Sequence, residues 1–261
     1  LSLIDQPDGE KRCAEVFAAR LAFVPYLMPG FGLAKKAIEI FGRAPESKGL
    51  ILSKHGIVTF GESAREAYER MIEMVSLAED FIARGRKTYA APTPVPLQRT
   101  RVAEVAPIIR GACSQKDAKI EGGWRRLMID FRRSEAILNL LENKELGRLS
   151  ESGVITPDHA IRTKNWPLVL SPPKAGKIDD FARAARAAAL DFAERYHRYF
   201  ERHKARRGTK QELDPLPRVV LVSGVGLFGL GRSKHDALIA ADIAEAWVEC
   251  VSDAEAIGRF Q

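Results

Sequence analysis

Hydrophobic positions along the chain fall into short blocks whose spacing predicts strands and helices in alternation. Two apolar runs of strand length, Gly49–Leu52 and Ile57–Phe60, are separated by a tight turn. Apolar residues three and four positions apart then predict a helix over about Ser63–Ala83, with one apolar face. That face consists of Ala67, Met71, Val75, Ala78 and Ile82.

Both ends of this helix carry local signals. Ser63 and Glu66 form the Ser-x-x-Glu pattern of a capping box, in which each side chain accepts a hydrogen bond from a backbone amide at the helix start. Gly85 is the residue type that commonly follows the last helical turn. We therefore expect the helix to begin after Ser63 and to end before Gly85.

The rest of the chain continues the alternation. Residues Cys13–Phe23 are predicted to form the end of a helix or a loop, and a helix is predicted over Leu33–Phe41. The proline-rich stretch Ala90–Pro96 breaks helix and sheet, and we expect it to separate two domains, 1–90 and 91–261. Further helices are predicted at Leu97–Arg110, Ser134–Asn143, Ile178–Lys204 and Lys234–Val251, and strands at Arg126–Phe131, Pro167–Leu170 and Arg218–Val222. This order of elements indicates an α/β layered fold.

Composition places the chain among globular proteins and excludes several classes. Of its 261 residues 46% are hydrophobic and 29% are charged, which permits a buried core and argues against disorder. No apolar run approaches the ~18–20 residues of a membrane span, and no signal-peptide pattern opens the sequence. Cys13, Cys113 and Cys250 are odd in number and widely spaced, which excludes a disulfide framework and fits buried thiols in a reducing cytoplasm. The net charge of +7 permits attraction to anions without choosing between phosphorylated metabolites and nucleic acid.

His55 and Gly56 occupy the turn between the first two predicted strands. An imidazole at such a turn projects off the end of the sheet, and glycine lets the backbone pass close beneath a bound group. A lone histidine at a turn is nevertheless more often a hydrogen-bonded turn residue than a metal ligand. The turn alone therefore leaves both interpretations open.

The residues around this turn resemble the class II aldolase and adducin family. In Gly49–Glu69 the sequence Leu-Ser-Lys-His-Gly-Ile-Val-Thr-Phe-Gly is similar to the family segment in which one strand ends in His-Gly and the next ends in a glycine before a helix. The upstream segment Val24–Ala34, with its Val-Pro-Tyr and Pro-Gly-Phe-Gly-Leu-Ala, resembles the family as well. Thr156–Lys164 and Arg218–Phe228 look like an extension found in bifunctional proteins that join a rhamnulose-phosphate aldolase to a short-chain dehydrogenase.

This resemblance implies a fold, a cofactor and one ligand residue. The fold would be a three-layer α/β/α domain, incomplete at its N-terminus, with an α/β extension packed on it. In such aldolases a divalent metal, usually zinc, is held by three histidines and stabilises the enediolate formed when a carbon–carbon bond breaks. His55 matches the third of these ligands. The other two belong to a His-x-His pair upstream of the Val-Pro-Tyr segment, and Leu1–Lys54 contains no histidine.

The missing ligands change what is expected of this chain alone. Catalytic zinc needs about three protein ligands, and the family's acid/base carboxylate also lies further upstream than Leu1. We therefore expect residues 1–261 alone to bind metal weakly and to be inactive.

A second cluster of candidate site residues begins at Thr156. The stretch Thr156–Asp158 has the residue types of a capped first helical turn and needs no ligand to explain it. Arg162 lies one helical turn after an aspartate and is suited to pairing with it, but together with Lys164 it is also suited to holding a phosphate. We predict that His159, Arg162 and Lys164 face the cleft that holds His55 and bind the phosphate of the substrate.

The segment Gly224–Gly229 is a literal Gly-x-Gly-x-x-Gly pattern after a predicted strand. A dinucleotide site needs a helix that opens within that turn and an acidic residue about 20 positions further on, at the end of a second strand. Here 230–232 are predicted to continue a loop, and the acids at that distance, Asp242 and Glu245, fall inside a predicted helix. The pattern favours a glycine-kinked turn over an NAD site.

Seven basic residues lie among aromatic residues between Arg195 and Lys210. This composition is typical of a nucleic-acid surface, and equally of a helix that packs its aromatic residues inward and exposes its arginines. Glu194 and Glu201 dilute the charge, which favours the solvated helix.

The resemblance and the residues together predict a fragment of a sugar-phosphate aldolase of the rhamnulose-1-phosphate type, active in rhamnose catabolism. Its reaction would be retro-aldol cleavage to dihydroxyacetone phosphate and an aldehyde, with a divalent metal, expected to be zinc, and no NAD in this part. The alternatives are a non-catalytic adducin-like scaffold and the aldolase part of a dehydrogenase fusion acting as an oxidoreductase. The expected partners are a sugar phosphate and further copies of the chain, without nucleic acid or membrane, in the cytoplasm.

Overall fold

The computed structural model describes residues 1–85, 102–205 and 210–260, which form two compact units. The first unit comprises Leu1–Ala90, Ile155–Pro157 and Glu249–Gln261, and the second comprises Ala91–Val154 and Asp158–Val248. The proline-rich connector predicted at Ala90–Pro96 lies outside the described residues. Helices and strands alternate along the chain, so the predicted α/β fold class is confirmed. No helix within the described ranges is long and apolar enough to cross a membrane.

The first unit is built on a three-stranded sheet. Its elements are helix α1 (Gly9–Phe17), strand β1 (Leu21–Val24), helix α2 (Phe31–Arg43), strand β2 (Gly49–Leu52), strand β3 (Gly56–Thr59) and helix α3 (Ala64–Gly85). β1 and β2 run parallel, as a crossover through α2 requires, and β2 and β3 form an antiparallel hairpin. β2 has the predicted bounds, and β3 lies one residue earlier than the predicted Ile57–Phe60.

The prediction for Cys13–Phe23 was wrong in its second half. α1 ends at Phe17, and Leu21–Val24 form a strand beside β2 instead of a loop. Four residues between Arg20 and Pro25 are too few to show a period, so pattern alone does not separate this strand from its surroundings.

The apolar face of α3 is rotated from the predicted one. Met74 is fully buried, whereas Val75, which was expected on the buried face, is 38% exposed. Leu77, Ala78, Phe81 and Ile82 complete the packing on the core of this unit. The helix carries apolar residues on two neighbouring stripes about 100° apart, and only its contacts decide which one is buried.

At the start of α3, one of the two hydrogen bonds of the predicted capping box is present. Ser63 Oγ accepts a hydrogen bond from the Glu66 amide at 3.2 Å, as expected. The Glu66 carboxylate accepts from the amide of Glu62 at 2.8 Å, one residue earlier than the capping box requires.

The second unit is built on a four-stranded sheet of order β6-β9-β8-β7. In chain order its elements are α4 (Val102–Ala112), β4 (Gln115–Lys116), β5 (Trp124–Arg125), β6 (Met128–Arg132), α5 (Glu135–Leu141), α6 (Leu146–Glu151), α7 (Pro157–Thr163), β7 (Leu168–Leu170), α8 (Ile178–Lys204), β8 (Val219–Val222), β9 (Gly226–Gly231) and α9 (Lys234–Ile257). α7 and α9 each have residues in both units. β6 and β8 pair antiparallel with β9, and β7 pairs parallel with β8.

The core of the second unit lies between this sheet and two helices. Val220, Val222, Phe228 and Leu230 of the sheet pack with residues of α4 and α8, among them Val105, Ile109, Phe181, Ala185 and Phe192. α8 has the predicted bounds at both ends, whereas α9 continues six residues beyond the predicted Val251.

Gly224 lies in the turn between β8 and β9 with a φ of 70°, as predicted, but Gly226–Gly231 form a buried strand, so the predicted loop was wrong at Leu230 and Gly231. A Cβ on Gly229 would lie 2.5 Å from the Ala237 oxygen, and one on Gly231 would lie 2.3 Å from the Ala237 nitrogen. The glycines therefore let α9 approach β9 closely. Because glycine is depleted in strands, their repetition pointed to a turn. The segment joins two antiparallel strands, whereas a dinucleotide fold needs a strand that leads into a helix.

Candidate functional site

His55 lies at the end of the β2–β3 hairpin, which confirms the predicted strand–turn–strand arrangement. Leu52 and Gly56 are paired, and the His55 amide donates to the Leu52 oxygen at 2.9 Å across the turn. Lys54 has a φ of 61° and Gly56 a φ of 126°. The strand pairing on either side of the turn and the hydrogen bond across it together position the backbone that carries His55.

The imidazole is held on two sides by the segment that follows β1. Its Nε2 lies 2.8 Å from the backbone oxygen of Leu27. Its ring stacks on Tyr26, with centroids 5.6 Å apart and planes inclined by 16°. A carbonyl oxygen only accepts, so Nε2 carries the proton and the lone pair of the neutral ring is on Nδ1. A backbone carbonyl that orients an imidazole in this way is a common support for a metal ligand.

The residues near His55 do not by themselves make a metal site. Within the described part of the chain there is no group of three or more histidine, cysteine, aspartate or glutamate side chains placed to hold a metal ion. A catalytic zinc needs about three protein ligands. The described residues therefore do not fit a complete zinc site.

An ion pair between Lys54 and a buried carboxylate supports the turn that carries His55. Lys54 Nζ lies 2.6 Å from Oδ1 of Asp5, whose side chain is completely buried. Burial raises the pKa of Asp5, and the hydrogen bond and charge of Lys54 oppose that change. Sequence reasoning missed Asp5, because nothing in Leu1–Asp8 marks a residue that contacts a turn about 50 positions away.

The second candidate cluster begins with helix α7, which starts at Pro157 as predicted. Thr163 Oγ1 donates to the backbone oxygen of His159 at 2.8 Å, within the same helix. The predicted alternative for Arg162, a pair with the preceding aspartate, involves a side chain outside the described ones. His55 belongs to the first unit and His159 to the second, and their convergence on one cleft stays a prediction.

Lys164 is buried, with a φ of 68°. Its ammonium donates to the backbone oxygen of Asp214 and lies 4.2 Å from the ring centroid of Tyr196. Burial lowers the pKa of Lys164 to about 8. This side chain is directed into the second unit.

Arg162, in contrast, lines an open pocket of about 180 Å³ in the second unit. The pocket brings together Arg162, Arg218, Arg232 and Asp236 with the mainly apolar residues Ile161, Leu230, Gly231, Ile239 and Ala240. Sequence reasoning missed Arg218 and Arg232. Arg218 directly precedes β8 and Arg232 directly follows β9. Because the two ends of an antiparallel hairpin lie side by side, these positions could have predicted that the two arginines are neighbours.

The basic stretch on α8 has the contacts of a solvated helix. Arg195 pairs with Glu151 at 3.2 Å and lies 5.0 Å from the ring centroid of Trp166. Arg198 pairs with Glu194 at 2.5 Å, and Tyr196 is buried. Arg206 and Arg207 lie outside the described residues.

Comparison with known proteins gives two matching family profiles. The family described as "Class II Aldolase and Adducin N-terminal domain" matches residues 4–82. The family described as "Aldolase class II, second domain" matches residues 100–261, more than half of the chain. The matched ranges therefore cover nearly all the residues on which both candidate clusters lie.

A curated relative matches over the whole chain. It is a protein of Bacillus subtilis (strain 168) named uncharacterized oxidoreductase YuxG, 25% identical over 269 residues. The match covers 100% of this chain and 37% of that protein, so the chain spans little more than a third of the relative's length. No solved structure matches the chain significantly.

Proposed function

This chain belongs to the class II aldolase and adducin family, and from that premise we propose that it is part of a metal-dependent sugar-phosphate aldolase. The substrate in this proposal is a ketose 1-phosphate of the rhamnulose type, cleaved to dihydroxyacetone phosphate and an aldehyde. The observation that carries the proposal is His55 on a fixed hairpin turn, with its imidazole oriented by the Leu27 carbonyl.

In this proposal His55 is one ligand of a divalent cation, which we take to be zinc. The remaining ligands and the acid/base carboxylate would come from parts of a longer protein outside residues 1–261. Support for a longer protein comes from the relative, of which this chain spans 37%. Two residues of this chain position His55: Tyr26 covers one ring face, and Leu27 fixes which nitrogen carries the proton.

The substrate's phosphate is assigned to His159, Arg162 and Lys164. Arg162 has the most direct support, because it lines an open pocket. Lys164 is buried, and its ammonium donates to the backbone oxygen of Asp214. We therefore assign it an indirect role, in which it supports the segment that carries Asp214 and does not contact the phosphate.

Zinc occupancy of the longer parent protein tests the role of His55. We expect about one zinc per chain by elemental analysis after dialysis, and a sharp loss in His55→Ala. The control is His235→Ala, because His235 is exposed in the second unit and has no role in the proposal. Full zinc occupancy in His55→Ala would refute the assignment. Stoichiometric zinc in residues 1–261 alone would contradict the argument that ligands are missing.

A second candidate function follows from the relative's name, which describes that protein as an oxidoreductase. Here the chain would be the aldolase part of a fusion with a dehydrogenase. The parent protein should then reduce a nicotinamide cofactor in the presence of substrate, measured by absorbance, in addition to cleaving a ketose phosphate. A parent protein that binds no metal and has neither activity would instead indicate an adducin-like scaffold.

We also propose that the protein is cytoplasmic and self-associates. Helix α2 has no buried residue, and it exposes Phe31 by 77% and Ile38 by 73%. Large apolar side chains grouped on a surface commonly mark an interface. Sedimentation of the parent protein should give more than one chain per particle, and Phe31→Ser with Ile38→Ser should reduce that number.

A further inference from the structure

We propose that Arg162, Arg218 and Arg232 form a binding site in the second unit for a small ligand that carries a phosphate group. The inference rests on the proposed function only for the choice of phosphate as the anion. It adds Arg218 and Arg232 to the site and places Lys164 behind it. Its geometry lies wholly within one unit of the fold.

Three separate elements bring the arginines together. Arg162 comes from α7, Arg218 directly precedes β8, and Arg232 directly follows β9. The pairing of the two strands extends to their ends, since the Leu230 amide donates to the Arg218 oxygen at 2.8 Å. The position of two of the three cations is thus fixed by the sheet.

Arg218 and Arg232 are held from behind by one buried carboxylate. Asp214 lies 3.1 Å from Arg218 and 3.6 Å from Arg232, and its side chain is 7% exposed. Arg218 is itself 14% exposed, and its Nη1 also donates to the backbone oxygen of Leu216 at 3.1 Å. Arg218 therefore forms the rigid floor of the pocket. The buried Lys164 donates to the backbone oxygen of Asp214 and thereby supports the segment that carries this aspartate.

The charge facing the pocket is positive. Three arginines line it, together with one acidic residue, Asp236. Its carboxylate accepts from the Ser233 hydroxyl at 2.8 Å and from the Ser233 amide at 3.2 Å, as the cap of α9. Arg162 is exposed and has no salt bridge with a side chain that the structure describes, although the hydrogen bonds from Ser233 and, to a smaller extent, the charge of Arg162 lower the pKa of Asp236. An anion gains most from a cation that is not already neutralised.

The shape of the pocket selects a phosphate group with a small organic part. Guanidinium groups bind phosphate oxygens in pairs, and several of them suit a dianion better than a carboxylate. The volume of about 180 Å³ is below the ~300–1,000 Å³ of sites for drug-sized ligands. Ile161, Leu230 and Ile239 supply apolar walls beside the cations, where the carbon part of a phosphate ester would lie.

Titration calorimetry on the metal-stripped parent protein tests the site without aldolase chemistry. The probes are inorganic phosphate, glycerol 3-phosphate and, as the uncharged control, glycerol. We expect both phosphates to bind, glycerol not to bind, and the ester to bind more tightly because of the apolar walls. Equal affinity for the two phosphates would limit the ligand to free phosphate and overturn the organic part of the proposal.

Charge-removing variants locate the binding. Arg162→Gln and Arg232→Gln should each weaken glycerol 3-phosphate binding about tenfold, because each removes hydrogen bonds to a charged group. The matched control Arg186→Gln removes an exposed guanidinium from α8, outside the pocket, and should leave binding unchanged. Circular dichroism checks that the variants fold. Arg218 is left in place because it is part of the floor.

The outcomes separate this site from the proposed aldolase. If neither phosphate binds, or if Arg186→Gln weakens binding as much as Arg162→Gln does, the arginine site is refuted. If the wild type binds through Arg162 and Arg232 while the zinc-loaded parent protein cleaves no ketose phosphate, the site stands and the aldolase proposal fails.

Discussion

The Asp5 carboxylate and the Lys54 ammonium lie 2.6 Å apart, with Asp5 completely buried and the Lys54 side chain 35% exposed. The pair joins the start of the chain to the turn that carries His55. A buried charge that loses its partner is costly, whereas a half-exposed ammonium recovers water when the carboxylate is removed. Removing the Lys54 ammonium should therefore cost more stability than removing the Asp5 carboxylate.

The pH dependence of stability should report this buried carboxylate. The folded-state pKa of Asp5 is raised above its ordinary value of 3.8, chiefly by burial, so the folded protein takes up a proton at a higher pH than the unfolded chain does. Its contribution to the free energy of unfolding is fully present below pH 3.8 and is lost as the pH rises through the folded-state pKa. Urea unfolding between pH 3.5 and about 6.5 should thus show the wild type losing stability relative to Asp5→Asn.

The control for this experiment has the opposite sign. Asp8 pairs with Arg12 at 2.7 Å, and the hydrogen bond from Arg12 lowers the Asp8 pKa. Its contribution is present above the ordinary pKa and is lost as the pH falls, so the wild type should gain stability relative to Asp8→Asn as the pH rises. A constant difference between the wild type and Asp5→Asn over this pH range would show that Asp5 is not buried as a titrating group.

How much of this molecule could be predicted from sequence depends on how local each signal is. The hairpin around His55 was predicted because two apolar runs lie on either side of a short turn, and helix α8 because its pattern lies within one continuous stretch of chain. The pocket of Arg218 and Arg232 and the Asp5–Lys54 pair were not, because each joins residues whose proximity is created only by strand pairing or by packing of the folded chain. Strand β9 was mistaken for a loop for the same reason, because its glycines are required by the close approach of α9 and not by the strand itself.

Replacing Gly231 by alanine should destabilise the second unit. The new methyl group would lie 2.3 Å from the backbone nitrogen of Ala237, and backbone at the start of α9 has little freedom to move. Forced overpacking of this kind costs about 1–3 kcal/mol. The matched control is Gly111→Ala, because Gly111 lies in α4 with nothing within 4 Å of an added Cβ. That change should stabilise the protein by about 0.5–1 kcal/mol, since alanine favours helix. Urea midpoints that move the same way for both variants would contradict the close packing of α9 on β9.

The three thiols should be unreactive in the folded protein. Burial raises the pKa of Cys113 to about 12 and that of Cys13 to about 11, and it raises the pKa of Cys250 as well. Because the thiolate is the reactive form, a disulfide reagent such as Ellman's reagent at pH 8 should label none of the three within minutes. In urea all three should react at once. Rapid labelling of any cysteine in the native protein would show that its surroundings open on that timescale.

Lys164 should make the second unit more stable as the pH rises above neutrality. Burial lowers the pKa of its ammonium from 10.5 to about 8, although Asp214 and Glu212 oppose that change. Between these values the folded protein has released a proton that the unfolded chain still binds, so the free energy of unfolding increases with pH. A shift of this size corresponds to at most about 3 kcal/mol. The wild type should therefore gain stability relative to Lys164→Met between pH 7.5 and about 9.5 in urea unfolding. Lys174→Met, which removes an exposed ammonium, should keep the wild-type pH dependence. If Lys164→Met kept it too, the ammonium would be solvated in the folded protein, and its contact with the Asp214 backbone and the Tyr196 ring would be refuted.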